Sequence, residues 1–85
     1  MAQVERETES DLTARGSRLE QAFESRVVIE QAKGMIAARH HVDVHTAFDV
    51  LRRAARSNHL NIRELAERVV SEPATPAEIV LQLYG

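Results

Sequence analysis

One uninterrupted helical pattern, from Val4 to Arg39, constrains the fold of this 85-residue chain more than any other feature. A helix of that extent is about 54 Å long at about 1.5 Å per residue, well beyond the width of a small domain. Its C-terminal half carries a wide apolar face around Ala32 and is expected to pack on its own chain. The N-terminal half has nothing left to pack on, so it must fray, fold back or pair with another chain.

Apolar residues in this helix recur close to the heptad spacing of a coiled coil. The pattern is sparse, and Gly16 weakens it further because glycine costs about 1 kcal/mol in a helix interior. We expect a homodimer formed through this seam, with residues 1–18 as a helical extension. The residues predicted to form the seam are Leu12, Leu19, Ala22 and Ile29.

Two shorter helices are predicted to follow, each preceded by a capping residue. Asp43 is a good N-cap for a second helix over residues 44–57, and Asn61 is a good N-cap for a third. The apolar stripe of the second helix is centred on Phe48 and Leu51. We predict that both of these side chains belong to the core.

In the C-terminal segment, a residue that ends a helix is followed by residues that favour the start of another helix. Pro73 ends the third helix, since proline cannot continue a helix. Thr75 is a candidate cap and Pro76 suits a first helical position, so a short fourth helix is predicted to run to about Leu83. No segment has the pattern of a strand. The predicted fold is therefore all-α, with a helical domain over residues 19–71 and a linker and short C-terminal helix over residues 72–85.

Composition excludes several classes of chemistry. The chain has no cysteine, and His41 and His45 lie on either side of a predicted helix break without an HExxH motif, so we predict no metal site and no cofactor. No serine or acidic residue stands in a recognisable catalytic arrangement, so we predict no enzymatic activity and no catalytic residue. Three aromatic residues and no tryptophan argue against the stacking platform of an RRM or OB fold.

The N-terminal ten residues are acidic and lack the apolar stretch of a signal peptide. No apolar run approaches the about 20 residues that span a bilayer. We therefore expect a cytoplasmic protein without a membrane partner.

Charge is distributed unevenly along the chain. The whole chain has a net charge of −2, yet residues 26–59 hold six bases and three acids, which gives +3, together with all four histidines. A positive centre between acidic ends attracts a polyanion locally. The alternative is a solvated face with no partner.

Four bases of this centre fall at spacings that bring them together. Arg26 and Lys33 lie about 20° apart on the first helix, and Arg52 and Arg56 are neighbours one turn apart on the second. If the two helices form an antiparallel hairpin, the four bases line one groove, and arginine suits phosphate and guanine recognition. Alternatively, their stems cover the edges of the core, and Asp49 pairs with the second helix's arginines.

Gly34 stands inside the first helical pattern. A glycine there costs stability, so it often marks close approach of another backbone. Either a packed helix or a nucleic acid fits this position.

Three sequence elements, EQAKG at residues 30–34, AFxxLRxxA at 47–55 and LAxxVV at 65–70, resemble the ANTAR domain in order and spacing. That domain is a three-helix RNA-binding module of bacterial transcription antitermination regulators, and the resemblance covers residues 19–71. It implies a dimer through the first helix and binding to paired short hairpins in nascent mRNA, which prevents formation of an overlapping terminator. The positions that match its RNA-facing residues are Arg26, Lys33, Gly34, Arg52 and Ala55, with Arg56 and Asn58 nearby.

The chain departs from the family pattern in two places. Ala37 stands where a methionine is common, and the loop at residues 57–59 is not the commonest form. Many family members carry a receiver or GAF sensor domain before this module, so we expect this chain either to be a stand-alone regulator or to receive its input from a sensor protein as a partner.

Two other functions stay open. The chain can be a coiled-coil interaction module whose basic face meets an acidic protein, or a DNA-binding helix-turn-helix, since a short turn joins the second and third helices. The third helix carries Glu64 and Glu67 beside its two arginines, which makes a poor recognition helix for DNA.

Overall fold

Four α-helices joined by short loops make up the described residues, 2–85, in a computed structural model. The structure describes the backbone of residues 2–85 and the side chains of residues 18–85, and no strand occurs among them. The predicted seam residue Leu12 lies outside the described side chains. The helices are α1 (Ala2–His40), α2 (Val44–Ser57), α3 (Ile62–Ser71) and α4 (Ala77–Tyr84).

Local capping explains why α2 and α3 begin where they do. The Asp43 carboxylate accepts a hydrogen bond of 2.7 Å from the Thr46 backbone N–H, and this bond lowers the pKa of the Asp43 carboxyl. The Asn61 side chain accepts from the backbone N–H groups of Arg63 and Glu64. The bounds predicted for α2 and the cap predicted for α3 are confirmed.

Two histidines reverse the chain after α1 and after α2. His41 and His59 each have a φ of 55°, the left-handed conformation common just past a helix end. The following residue in each loop donates back into the helix, as Leu60 N–H does to the Ala55 carbonyl at 2.8 Å. The short loop after α1 turns α2 back along it.

The start of α4 differs from the prediction by one residue. Pro76 occupies the N-cap position and Ala77 begins the helix. The Thr75 hydroxyl does not cap α4, because it is hydrogen-bonded at 2.8 Å to His40 Nε2 at the end of α1.

The core lies where α1 packs against α2 and α3, with α4 closing over α2. Much of this contact is made by alanine, whose small side chain lets neighbouring helices approach closely. The fully buried residues are Ala32, Ile36, Ala47, Leu51, Ala54, Leu65, Ala66, Val69 and Ile79.

Polar contacts attach α4 to the rest of the domain. The Arg68 guanidinium of α3 pairs with the Glu78 carboxylate of α4 and lowers the pKa of that carboxyl. On the other side, His40 Nδ1 and the Tyr84 hydroxyl are 2.8 Å apart. Helix α4 is thus connected to both α3 and α1.

The prediction that Phe48 is a core residue is wrong, whereas the same prediction for Leu51 is confirmed. Leu51 is fully buried, but 37% of Phe48 is exposed. Leu51 lies about 40° around α2 from the buried Ala47, whereas Phe48 lies about 100° from it. Phe48 therefore falls at the margin of the apolar stripe, beside α1.

This difference gives a test of the fold. Leu51→Ala should lower the free energy of unfolding by about 2–5 kcal/mol because it leaves a cavity in the core. Phe48→Ala should cost less, since part of the ring is already in water. Urea unfolding of both variants, followed by circular dichroism, measures the two losses, and a larger loss for Phe48→Ala would contradict its placement.

Candidate nucleic-acid interface

The contact between Lys33 and Phe48 shows how α1 and α2 run past each other. The Lys33 ammonium lies 5.6 Å from the centre of the Phe48 ring. Lys33 lies seven residues before the end of α1 and Phe48 four residues after the start of α2, so the two helices run antiparallel at this level. The hairpin on which the predicted groove depends is therefore present.

Helical geometry predicts that the remaining bases follow the same edge. Arg26 precedes Lys33 by seven residues, about 10 Å along α1, and Arg52 and Arg56 follow Phe48 by one and two turns of α2. Because α1 and α2 run antiparallel, Arg26 of α1 is expected at about the same level as Arg56 of α2. We call this set the basic row, and its members are Arg26, Lys33, Phe48, Arg52 and Arg56.

Two cations of the basic row are held by acids of their own helices. Lys33 pairs with Glu30 at 3.0 Å, and Arg52 pairs with Asp49 at 2.9 Å, a bond that lowers the pKa of the Asp49 carboxyl. The Arg52 side chain is 53% exposed. Ion pairs this close to solvent contribute little stability, so a polyanion can replace these acids at small cost.

Arg26 and Arg56, the other two cations of the basic row, are exposed and have no acidic partner among the described side chains. Among residues 18–85, no carboxylate lies within ion-pairing distance of Arg26 or Arg56. Arginines on α3 differ, since Arg63 pairs with Glu24 and Glu67 at 3.1 Å each. The basic row thus carries positive charge that the described part of the chain does not neutralise.

Gly34 has open space around it. A Cβ added there would meet no atom within 4 Å beyond its own helix backbone, and the residue is exposed. No helix in the described part of the chain packs on Gly34, so packing within the protomer does not explain this glycine. Gly34 lies seven residues after Val27, about 20° away around α1.

Ala55 and Asn58 are engaged within the protomer. Ala55 is 4% exposed and packs in the core, so its side chain offers no surface to a ligand. The Asn58 side chain donates a hydrogen bond of 2.8 Å to the Ala54 carbonyl and caps the end of α2. The sequence predicts both as RNA-binding positions. Because the Ala55 side chain is buried, we leave Ala55 out of the proposed contact surface.

The outward face of α1 differs from the predicted dimer seam. Of the predicted seam residues whose side chains are described, only Ile29 packs against the protomer's own core, whereas Leu19 and Ala22 are exposed. Large apolar side chains instead follow each other at four-residue intervals on the side away from the core. We call these the outer row, and they are Leu19 (71% exposed), Phe23 (69%) and Val27 (41%).

Among residues 18–85, no three histidine or acidic side chains come together as metal binding requires. None of the helices, where the structure describes them, has the length and apolar content that crossing a membrane demands.

A protein-family model matches the part of the chain that contains the basic row. The family model of the ANTAR domain matches residues 17–70, which include most of α1, all of α2 and nearly all of α3. Comparisons with curated proteins and with solved structures gave no significant match. ANTAR domains are the RNA-binding domains of transcription antitermination regulators. Because the matched segment covers more than half of the chain and contains every member of the basic row, the chain belongs to the ANTAR domain family.

Proposed function

We propose that this protein is a transcription antiterminator that binds paired hairpins in nascent mRNA and prevents formation of an overlapping terminator. The proposal is supported by the match of residues 17–70 to the ANTAR family and by the contact of Lys33 with Phe48, around which helical spacing predicts the rest of the basic row. The RNA contacts we propose are Arg26, Lys33, Gly34, Arg52, Arg56 and Asn58.

The chemistry of the row suits a folded RNA. Phosphate contacts supply affinity, and the exposed Arg26 and Arg56 carry charge that nothing in the described protomer neutralises. Arginine also makes paired hydrogen bonds to guanine edges, which a hairpin loop exposes because its bases are unpaired.

Binding alone is enough to oppose termination. Two RNA folds that share a segment exclude each other, and a protein that binds only one of them stabilises that fold by mass action. At a protein concentration about 100 times the Kd, the shift is about 2.7 kcal/mol, roughly a hundredfold in the ratio of the two folds. No catalytic step is required.

A dimer accounts for recognition of two hairpins. The outer row exposes Leu19 and Phe23 on the face of α1 that points away from the core. A second copy of α1 that packs on this row would remove them from water and give the complex two basic rows. Action on nascent mRNA also implies a bacterial cytoplasmic location, and a separate sensor protein is the proposed source of input.

The RNA proposal is tested by removing charge from the basic row. Arg26→Gln, Arg52→Gln and Arg56→Gln should each weaken binding of a tandem-hairpin RNA library with randomised loops. Each lost phosphate contact should also lower the slope of log K against log salt by about one unit or less. Arg52→Gln should in addition relax loop preference if its guanidinium meets a base edge.

Arg63→Gln is the matched control, because it removes the same charge from α3, where Arg63 already pairs with two acids. Filter binding at several salt concentrations measures all four variants. Equal behaviour of the control and the basic-row variants would reject the groove and favour the interaction-module function.

Gly34→Ala separates stability from binding. Alanine meets no atom at this site and is the better helix former, so the free energy of unfolding should rise by up to about 1 kcal/mol. RNA affinity should fall, because the added methyl stands where the RNA backbone approaches. Unchanged RNA affinity with a weakened dimer would assign Gly34 to a contact between two copies.

Leu19→Asp tests the dimer. A charge on the outer row loses hydration when the row is covered, so the variant should shift the protein toward monomer. Leu81→Asp is the control, since Leu81 is 67% exposed on α4, outside the row. Light scattering at micromolar concentration measures the mass, and a wild-type protein that is monomeric both alone and with RNA would contradict the proposal.

A further inference from the structure

Phe48 is an aromatic side chain placed among cations, and the function argued above does not use it. Its ring is 37% exposed. The outer row is a separate feature, because it faces away from the core on α1, whereas Phe48 lies at the edge where α2 meets α1. Phe48 is therefore the apolar member of an otherwise cationic row.

The side chains around the ring are charged. The Lys33 ammonium lies 5.6 Å from the ring centre and at the same time pairs with Glu30 at 3.0 Å. Arg52 follows Phe48 by one turn of α2, so its side chain lies on the same flank of the helix. A flat apolar surface between two cations is the combination that binds a nucleobase and its phosphates.

We propose that Phe48, Lys33 and Arg52 form a binding site for one unpaired nucleobase of the hairpin loop. The base stacks on the Phe48 ring, the Lys33 ammonium moves from the ring to a neighbouring phosphate, and Arg52 contacts the edge or the phosphate of the same nucleotide. This site rests on the proposed RNA-binding function and specifies what part of the RNA enters the row.

An unpaired base is required because of RNA geometry. Within an A-form stem both faces of each base are covered by its neighbours, and the deep major groove keeps side chains from the base edges. An unpaired nucleotide, such as one in the hairpin loop, can offer an open face to a ring on the protein surface. The site therefore recognises the loop and not the stem.

The experiment compares Phe48→Leu with Phe48→Tyr. Leucine keeps apolar bulk and loses the ring, whereas tyrosine keeps the ring. Tyr84→Leu is the matched control, because Tyr84 is an exposed aromatic residue of α4 that lies outside the basic row. The probe is the tightest-binding RNA from the loop-randomised library, with 2-aminopurine placed at each loop purine in turn.

Phe48→Leu should bind this RNA about tenfold more weakly, and its salt slope should be unchanged because no charge is lost. Quenching of one 2-aminopurine on binding should occur with wild type, Phe48→Tyr and Tyr84→Leu, and should be lost with Phe48→Leu. A lower salt slope for Phe48→Leu would overturn the site, since the ring would then act by positioning the cations.

Ultraviolet crosslinking of the wild-type protein gives a readout that does not depend on any variant's folding. A loop base should crosslink to the peptide that contains Phe48. Crosslinks confined to other peptides, or wild-type affinity and quenching in Phe48→Leu, would overturn the base site while the basic-row variants still support RNA binding. Failure of the wild type to bind any RNA of the library would overturn both proposals and make the row a surface for an acidic protein.

Discussion

The close contact of α1 with α2 and α3 is the constraint on which the rest of the structure depends. Alanines on both sides of it, such as Ala32 and Ala54, are fully buried and leave no room for larger side chains. This contact decides which face of α1 is covered. It also brings Lys33 of α1 beside Phe48 of α2, at the edge where we propose the other bases to lie.

Helix α1 thus divides into three stripes, one for each kind of neighbour. One stripe faces the core and includes Ile36. By helical geometry, Arg26 and Lys33 lie beside it, toward α2, and the outer row follows further round. A residue's place around α1 therefore determines whether it meets the protomer's own core, the proposed RNA or the proposed second copy. Gly34 falls in line with the outer row and lies about 100° around α1 from Lys33, so its test measures the affinity for RNA and the affinity between two copies.

Local signals made much of the fold predictable. Asp43 and Asn61 cap α2 and α3 through hydrogen bonds within three residues, so the sequence alone contained what the helix starts require. Contacts between distant residues were not predictable in this way. Phe48 belongs to an apolar stripe by spacing, but its burial depends on which side of α2 meets α1. Ile29 fits the heptad spacing, yet the core already holds it.

Helix α1 carries both the proposed RNA contacts and the proposed contact between two copies. This arrangement gives a physical reason for recognising hairpins in pairs. In a dimer joined through the outer row, the distance between the two basic rows is set by a rigid helix pair. Once one hairpin is bound, a second hairpin on the same RNA meets the other row at a high effective concentration, provided that the spacer between the hairpins spans that distance. Specificity for a hairpin pair then comes from the spacing of two sites, and each site can recognise a small loop with few contacts. A chain with a small core and a short basic row can in this way select an extended RNA target.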